Sequence, residues 1–109
     1  MVSYFVRYDG QAISPNLFLE YYRTKHASVL KQFDQIQGLT IHTPVEWMDP
    51  FPVQKGGASL LAQMHFHSID ALNKSLASEA RGRARTDSDN FPEFGGQIIH
   101  QALNAEQIF

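Results

Sequence analysis

Cysteine is absent from this sequence. That removes disulfides, thiolate nucleophiles, zinc knuckles and iron–sulfur clusters together. A dominant charge is missing as well: nine Lys and Arg against eleven Asp and Glu leave a formal net charge of −2 and a pI near 6.2. There is no basic field for a phosphate backbone or an anionic bilayer, so neither nucleic acid nor a membrane is expected as a partner. No apolar run approaches the roughly 20 residues that span a bilayer. The first residues enter a strand-like pattern rather than a charged, apolar and small-residue leader, which makes the expected localisation cytoplasmic. The chemistry that remains belongs to His, Tyr, Asp, Glu and Arg.

What is present describes an ordinary folded chain. With 43% apolar and 18% charged residues, disorder is excluded as the default state. At 109 residues the sequence is read as one domain, 1–109, with enough apolar content for a core but much of its surface left exposed as a monomer. Partnering is therefore expected.

The most informative stretch is Ser14 to Leu39. Ser14 is an N-cap candidate, Pro15 suits the first helical position, and Ile13 is placed to staple onto Phe18. Gly38 is the candidate stop. Phe18, Tyr21, Tyr22, Val29, Leu30 and Phe33 recur at steps of three and four, forming an apolar stripe. His26 lies four residues from Tyr22 and eight from Phe18, so it falls on that stripe and points inward. An inward histidine is either satisfied by core partners or placed beside a cavity, where an imidazole titrating near neutral pH serves proton transfer. Tyr21 and Tyr22 are about 100° apart around a helix, and Tyr22 is the one that shares the line of His26.

Around this helix the chain reads as follows. Val2–Tyr8 is a strand leaving through Asp9-Gly10. Leu39–Met48 is a second strand, with Leu39, Ile41, Thr43, Val45 and Trp47 on one face, His42 on the other, and Pro44 marking an edge or bulge. Asp49–Gly57 is a loop. Ser59–His67 is a third strand with Leu60, Ala62, Met64 and Phe66 in one row. Ser68 caps a second helix whose stripe is Ile69, Leu72, Leu76 and Ala80, weakening near Gly82. Arg81, Arg83 and Arg85 among Asp87 and Asp89 read as a solvated helix end. Gly95-Gly96 break the chain before a last strand, Gln97–Leu103.

Strand, helix, strand, strand, helix, strand is the ferredoxin-like order: α+β, βαββαβ, with two helices on one face of a four-stranded antiparallel sheet. The other face would carry apolar side chains into water. A second copy of the chain is expected to cover it, making a homodimer.

The pattern F-x-x-Y-Y-x-x-x-H, from Phe18 to His26, followed by Gly-Leu at 38–39, resembles the signature of the EthD family. GLTIHTP, AQMHFHSIDAL and DSDNF follow in the family's order, and the resemblance spans nearly the whole chain. It implies a dimeric α+β barrel with a pocket between sheet and helices in each subunit. In that pocket it implies His26 and Tyr22, with His42 at a position where relatives carry a tyrosine. Here the resemblance conflicts with the alternation, which puts His42 opposite Leu39 and Ile41; the resemblance is followed, and His42 is expected to line the pocket. Phe18, Met64 and Phe66 are the expected apolar walls.

The implied activity is that of a small enzyme using neither metal nor nucleotide cofactor. His26 would act as general base or acid on a small hydrophobic ligand, with His42 and Tyr22 supporting the developing oxyanion, in an isomerisation, cyclisation or oxygenation. Two other readings stand beside it: a non-catalytic dimeric ligand-binding or accessory protein, and a haem binder. His65 and His67 project two residues apart from one strand face, but metal binding would need a third ligand, for which His100 is the only evident source.

Overall fold

The computed structural model describes residues 1–109. It contains β1 (Val2–Ala12), α1 (Pro15–Tyr21), a π-helical turn (Tyr22–His26), α2 (Ala27–Leu30), β2 (Ile36–His42), β3 (Ala58–Phe66), α3 (Ile69–Leu76), α4 (Glu79–Asp87), a 3-10 turn (Ser88–Asn90) and β4 (Phe94–Asn104). The strands form one antiparallel sheet in the order β2-β3-β1-β4, and the helices lie on one of its faces. This is the ferredoxin-like topology expected from the order of elements.

Alternation along the strands decides which side chains meet the helices. In β1 these are Val2, Tyr4, Val6 and Tyr8, and in β3 Leu60, Ala62, Met64 and Phe66; all are buried. Val6 pairs with Ala62 on one side and with His100 on the other, so His100 also faces the helices. Above these rows pack Phe18, Tyr22 and Leu30 from the first helical stretch and Ala71, Leu72, Ala80 and Ala84 from the second. Filling one shared interior from both helices and both central strands is the main source of stability.

Several local expectations are corrected. The first helix ends at Leu30, not near Gly38, and the chain reverses through Gln35, which adopts a φ of 63°. Gly38 instead lies inside β2. The hydroxyl of Ser14 makes no capping bond; its carbonyl receives the Phe18 N–H at 2.9 Å. Ile13 is exposed and staples nothing. The second strand stops at His42, so Thr43–Gly57 is one long connection containing Pro44, Val45 and Trp47. Pro44 removes the donor a continuing strand would need.

The second helix is divided. Ser68 caps α3 by accepting the Ala71 N–H at 3.1 Å, and Ser78 restarts the chain as α4 by accepting the Arg81 N–H at 3.4 Å. The last strand begins at Phe94, not Gln97, and Gly95 and Gly96 lie within it rather than breaking the chain before it. Gly96 has a φ of 155° and faces Gly10, at 133°, across β1 and β4. A Cβ on either residue would collide with backbone of the opposite strand.

Candidate functional site

A cavity of about 680 Å³ opens between α4, the first helical stretch and the β1–β4 side of the sheet. One end is aromatic. The Tyr8 ring meets Phe18 at 5.3 Å, Phe94 at 5.6 Å and Tyr22 at 6.0 Å, all edge-on, and stacks with Phe91 at 6.4 Å. Such mutually perpendicular rings make a rigid apolar wall suited to flat organic molecules.

His26 lines this cavity and is only 7% exposed. Its position follows from the backbone: the Ala27 N–H reaches back to the Tyr22 carbonyl, a five-residue span that makes the turn wider than an α-turn. Wide turns of this kind recur at functional sites. Through it Phe18, Tyr22, His26 and Leu30 all remain directed at the core. The His26 ring stands 4.6 Å from Phe91, edge to face.

The imidazole does not stand alone. Its Nδ1 lies 2.9 Å from Oδ2 of Asp87, the last residue of α4, while the Tyr21 hydroxyl donates to Oδ1 at 2.7 Å and the Asn90 amide to the same oxygen at 3.3 Å. Burial alone would raise the Asp87 pKa, but the hydrogen bonds from Tyr21, His26 and Asn90 together hold it below the usual carboxylate range. An ionised Asp87 accepts only, so Nδ1 of His26 carries the proton and Nε2 keeps its lone pair. No protein group bonds Nε2. Burial pulls the His26 pKa below 6.5, and Asp87 offsets part of that, so the ring is neutral near neutral pH. The arrangement is an oriented, uncharged base open to a cavity.

Tyr22 is almost fully buried, and its ring centroid is 5.1 Å from that of His26. Burial raises its pKa, and raises that of Tyr8 to about 12, so both phenols stay protonated donors. Neither hydroxyl bonds a protein group. At the opposite end Tyr4 and His100 are joined through Oη and Nδ1 at 2.7 Å, beside Arg81 and Arg85 of α4.

The structure thus brings His26, Tyr22, Phe18 and Met64 to one cavity. Phe66 is fully buried on the same sheet face but does not reach the cavity wall. His42 is not brought there: it pairs across the strands with Leu61 on the far face and its Nε2 meets Gln63 Oε1 at 3.1 Å. Leu39 and Ile41 face the helices instead, as the alternation alone required, because apolar side chains gain more from that burial than an imidazole does. His65 shares the far face, bonded to Thr40 at 2.9 Å, whereas His100 faces the helices, so the two never converge. No three His, Asp or Glu side chains are grouped as metal ligands would be.

Asp87 was missed in the sequence, where it stood among arginines as part of a solvated helix end. The signal was its spacing: Ala80, Ala84 and Asp87 fall at i, i+4 and i+7, the inward stripe of α4. No helix is long and apolar enough to cross a membrane.

No family model matches this sequence, and no curated protein matches it either. Solved structures do. An EthD (ethyl tert-butyl ether) family protein from Bacillus halodurans superposes with a TM-score of 0.77 at 16% identity, over 97% of this chain and 99% of the other. A monooxygenase from Streptomyces coelicolor, solved in complex with nanaomycin D, gives 0.67 at 10% identity, over 99% and 89%. SnoaB, a cofactor-independent oxygenase from Streptomyces nogalater, gives 0.59 at 15% identity, over 97% and 93%. The resemblance drawn from the helix motif and the likeness in three dimensions agree on architecture: this chain has a ferredoxin-like fold, the fold of that EthD family protein and of the two Streptomyces proteins.

Proposed function

We propose that this chain is an EthD-like, cofactor-independent enzyme that removes a proton from carbon next to a carbonyl in a small apolar, cyclic molecule. The observation that carries this reading is the His26–Asp87 pair, with Nε2 unpaired at a cavity whose nearest walls are aromatic. Nε2 takes the proton while Asp87 holds the ring in its productive tautomer and offsets the positive charge that develops. Tyr22, and Tyr8 beside it, donate to the carbonyl oxygen as it becomes an enolate. Return of the proton at another carbon gives isomerisation, and attack of the enolate on a second carbonyl gives cyclisation. Transfer of its electrons to dioxygen gives oxygenation. The likeness in fold to a monooxygenase and to a cofactor-independent oxygenase supports this class.

The same reading includes a homodimer formed through the far face of the sheet. Ile99 and Leu103 stand there at 36% and 46% exposure, on the same face as Leu61 and Phe5.

The test uses 2-tetralone, a bicyclic ketone with acidic C–H bonds. Incubated in D2O with the protein, it is expected to exchange those hydrogens faster than in buffer, read by NMR. His26→Ala should remove about a hundredfold or more of the acceleration. Exchange that is equally fast with His26→Ala would sink the assignment.

A further inference from the structure

The cavity has a second end that proton abstraction does not use. Arg81 and Arg85 are one turn apart on α4, separated by buried Ala84, and both line the cavity. Neither forms an ion pair; the protein's two are Arg7–Asp9 and His26–Asp87. Arg81 lies over the Tyr4 ring at 5.8 Å, and the Tyr4 hydroxyl is the group bonded to His100. The acidic side chains of the cavity lining, Asp89 and Glu93, lie two positions to either side of Phe91 in the chain.

His100 reports the field at the Arg end. Burial pulls its pKa below 6.5, and Arg81 and Arg85 pull it the same way, so the ring is neutral there. A neutral imidazole joined to a phenol shares one proton in that bond and leaves another hydrogen-bonding position free. With Nδ1 accepting from Tyr4, that free position is an Nε2–H donor. Two guanidinium groups without carboxylate partners and this N–H, whose ring the Tyr4 hydroxyl orients by donating to Nδ1, form a set that an anion would complete, since Arg offers a planar fork matched to carboxylate oxygens.

We infer that the Arg81–Arg85–His100–Tyr4 end of the cavity is a subsite for the anionic group of the substrate, a carboxylate or ionised phenol. The ligand's ring is thereby held against Tyr8 and Phe91, with its reacting carbon toward His26. This inference rests on the proposed proton abstraction only for the direction in which the ligand lies; the anion site stands without it. It narrows the substrate class from apolar cyclic ketones to those bearing one acidic substituent across the ring system from the reacting carbon.

The probes are 2-naphthoate and its neutral counterpart 2-naphthamide, titrated into the full chain by calorimetry, with 2-naphthol above its pKa as a third arm. Naphthoate is expected to bind about tenfold or more tightly than naphthamide, the ratio that a charge-assisted hydrogen bond supports. The double variant Arg81→Gln/Arg85→Gln should bring naphthoate to the affinity of naphthamide. Arg81→Lys/Arg85→Lys should restore part of the preference, and Arg83→Gln, on the same helix but outside the cavity, should leave it intact. Naphtholate bound with a similar preference places ionised phenols in the class; naphthoate alone narrows it to carboxylates. Equal binding of naphthoate and naphthamide, binding of neither, or a preference that survives the double Gln variant overturns the subsite. Because His26→Gln should not alter the preference, the outcomes separate. Loss of exchange chemistry with the preference intact removes the enzymatic reading alone, and loss of the preference with exchange intact removes the subsite alone.

Discussion

Tyr21 and His26 hydrogen-bond to different oxygens of one carboxylate, Asp87, at 2.7 and 2.9 Å. A side chain from the end of α4 thereby ties together two residues of the first helical stretch, and the tie crosses the wall of the cavity. Removing its charge is expected to affect stability and chemistry together. Asp87→Asn should cost about 1–3 kcal/mol, because at least one donor loses a charged acceptor, and exchange should slow by roughly tenfold or more. Tyr21→Phe should cost about 1 kcal/mol and slow exchange less, since His26 keeps its partner. Urea midpoints and exchange rates on the same samples check both; an Asp87→Asn protein with unchanged rate contradicts the orienting role.

The pH dependence follows from the direction of two shifts. His26 has a lowered pKa in the folded state, so on acidification the unfolded chain takes up this proton first. Its contribution to stability is complete above 6.5 and is lost as pH falls from there toward the lower folded value. Asp87, held below 3.8, acts in the same direction further down: its contribution is present above 3.8 and is lost as pH falls from there through the lowered value. Urea melts from neutral pH downward should show stability declining across the first window, and His26→Gln should flatten that part. Exchange should rise with pH and level off at a midpoint below 6.5.

His42→Ala is expected to leave exchange within about twofold of the parent, as a change away from the cavity should. Its imidazole is on the far face of the sheet, bonded to Gln63, whose amide donates in turn to Ser3 at 3.1 Å. A large loss of rate would show that the far face communicates with the cavity, which the packing gives no reason to expect.

Met64 and Phe66 separate cavity wall from core. Phe66→Ala should destabilise by about 3–5 kcal/mol, enough to threaten folding of so small a chain, with naphthoate affinity unchanged in whatever fraction folds. Met64→Ala should cost about 2–5 kcal/mol and also alter naphthoate affinity, because Met64 lines the cavity. Thermal melts with and without naphthoate distinguish the two.

Ser75 is fully buried, and its Oγ has no hydrogen-bond partner. Ser75→Ala should therefore be neutral or stabilising by up to about 1 kcal/mol, since no bond is lost and an unpaired polar atom is removed. A urea midpoint lower by more than that would mean the hydroxyl is satisfied in solution.

The sequence made much of this architecture legible, for identifiable reasons. Period-two rows gave β1 and β3, the step-of-four stripe sent His26 inward, and Ser68 marked the second helix through the bond it makes. What stayed hidden depended on distance along the chain or on competing local signals. Asp87 meets His26 across 61 positions, and its neighbouring arginines made it look solvated. The placement of His42 was stated correctly by the alternation and overridden by the family resemblance. Pro44 ended a strand whose apolar pattern continued to Trp47, and Gly95-Gly96 suggested a break where two strands in fact run close together.

The wide turn from Tyr22 to His26 holds one more residue than a regular helix needs between the same two carbonyl-to-amide contacts. That surplus is slack. Excising a single exposed position such as Thr24 would let the ladder close in its ordinary form between the same contacts, and Tyr22 and His26 would then stand three positions apart instead of four. A chain one residue shorter, with an unbroken helix here, would thus keep the scaffold and change the angle between phenol and imidazole.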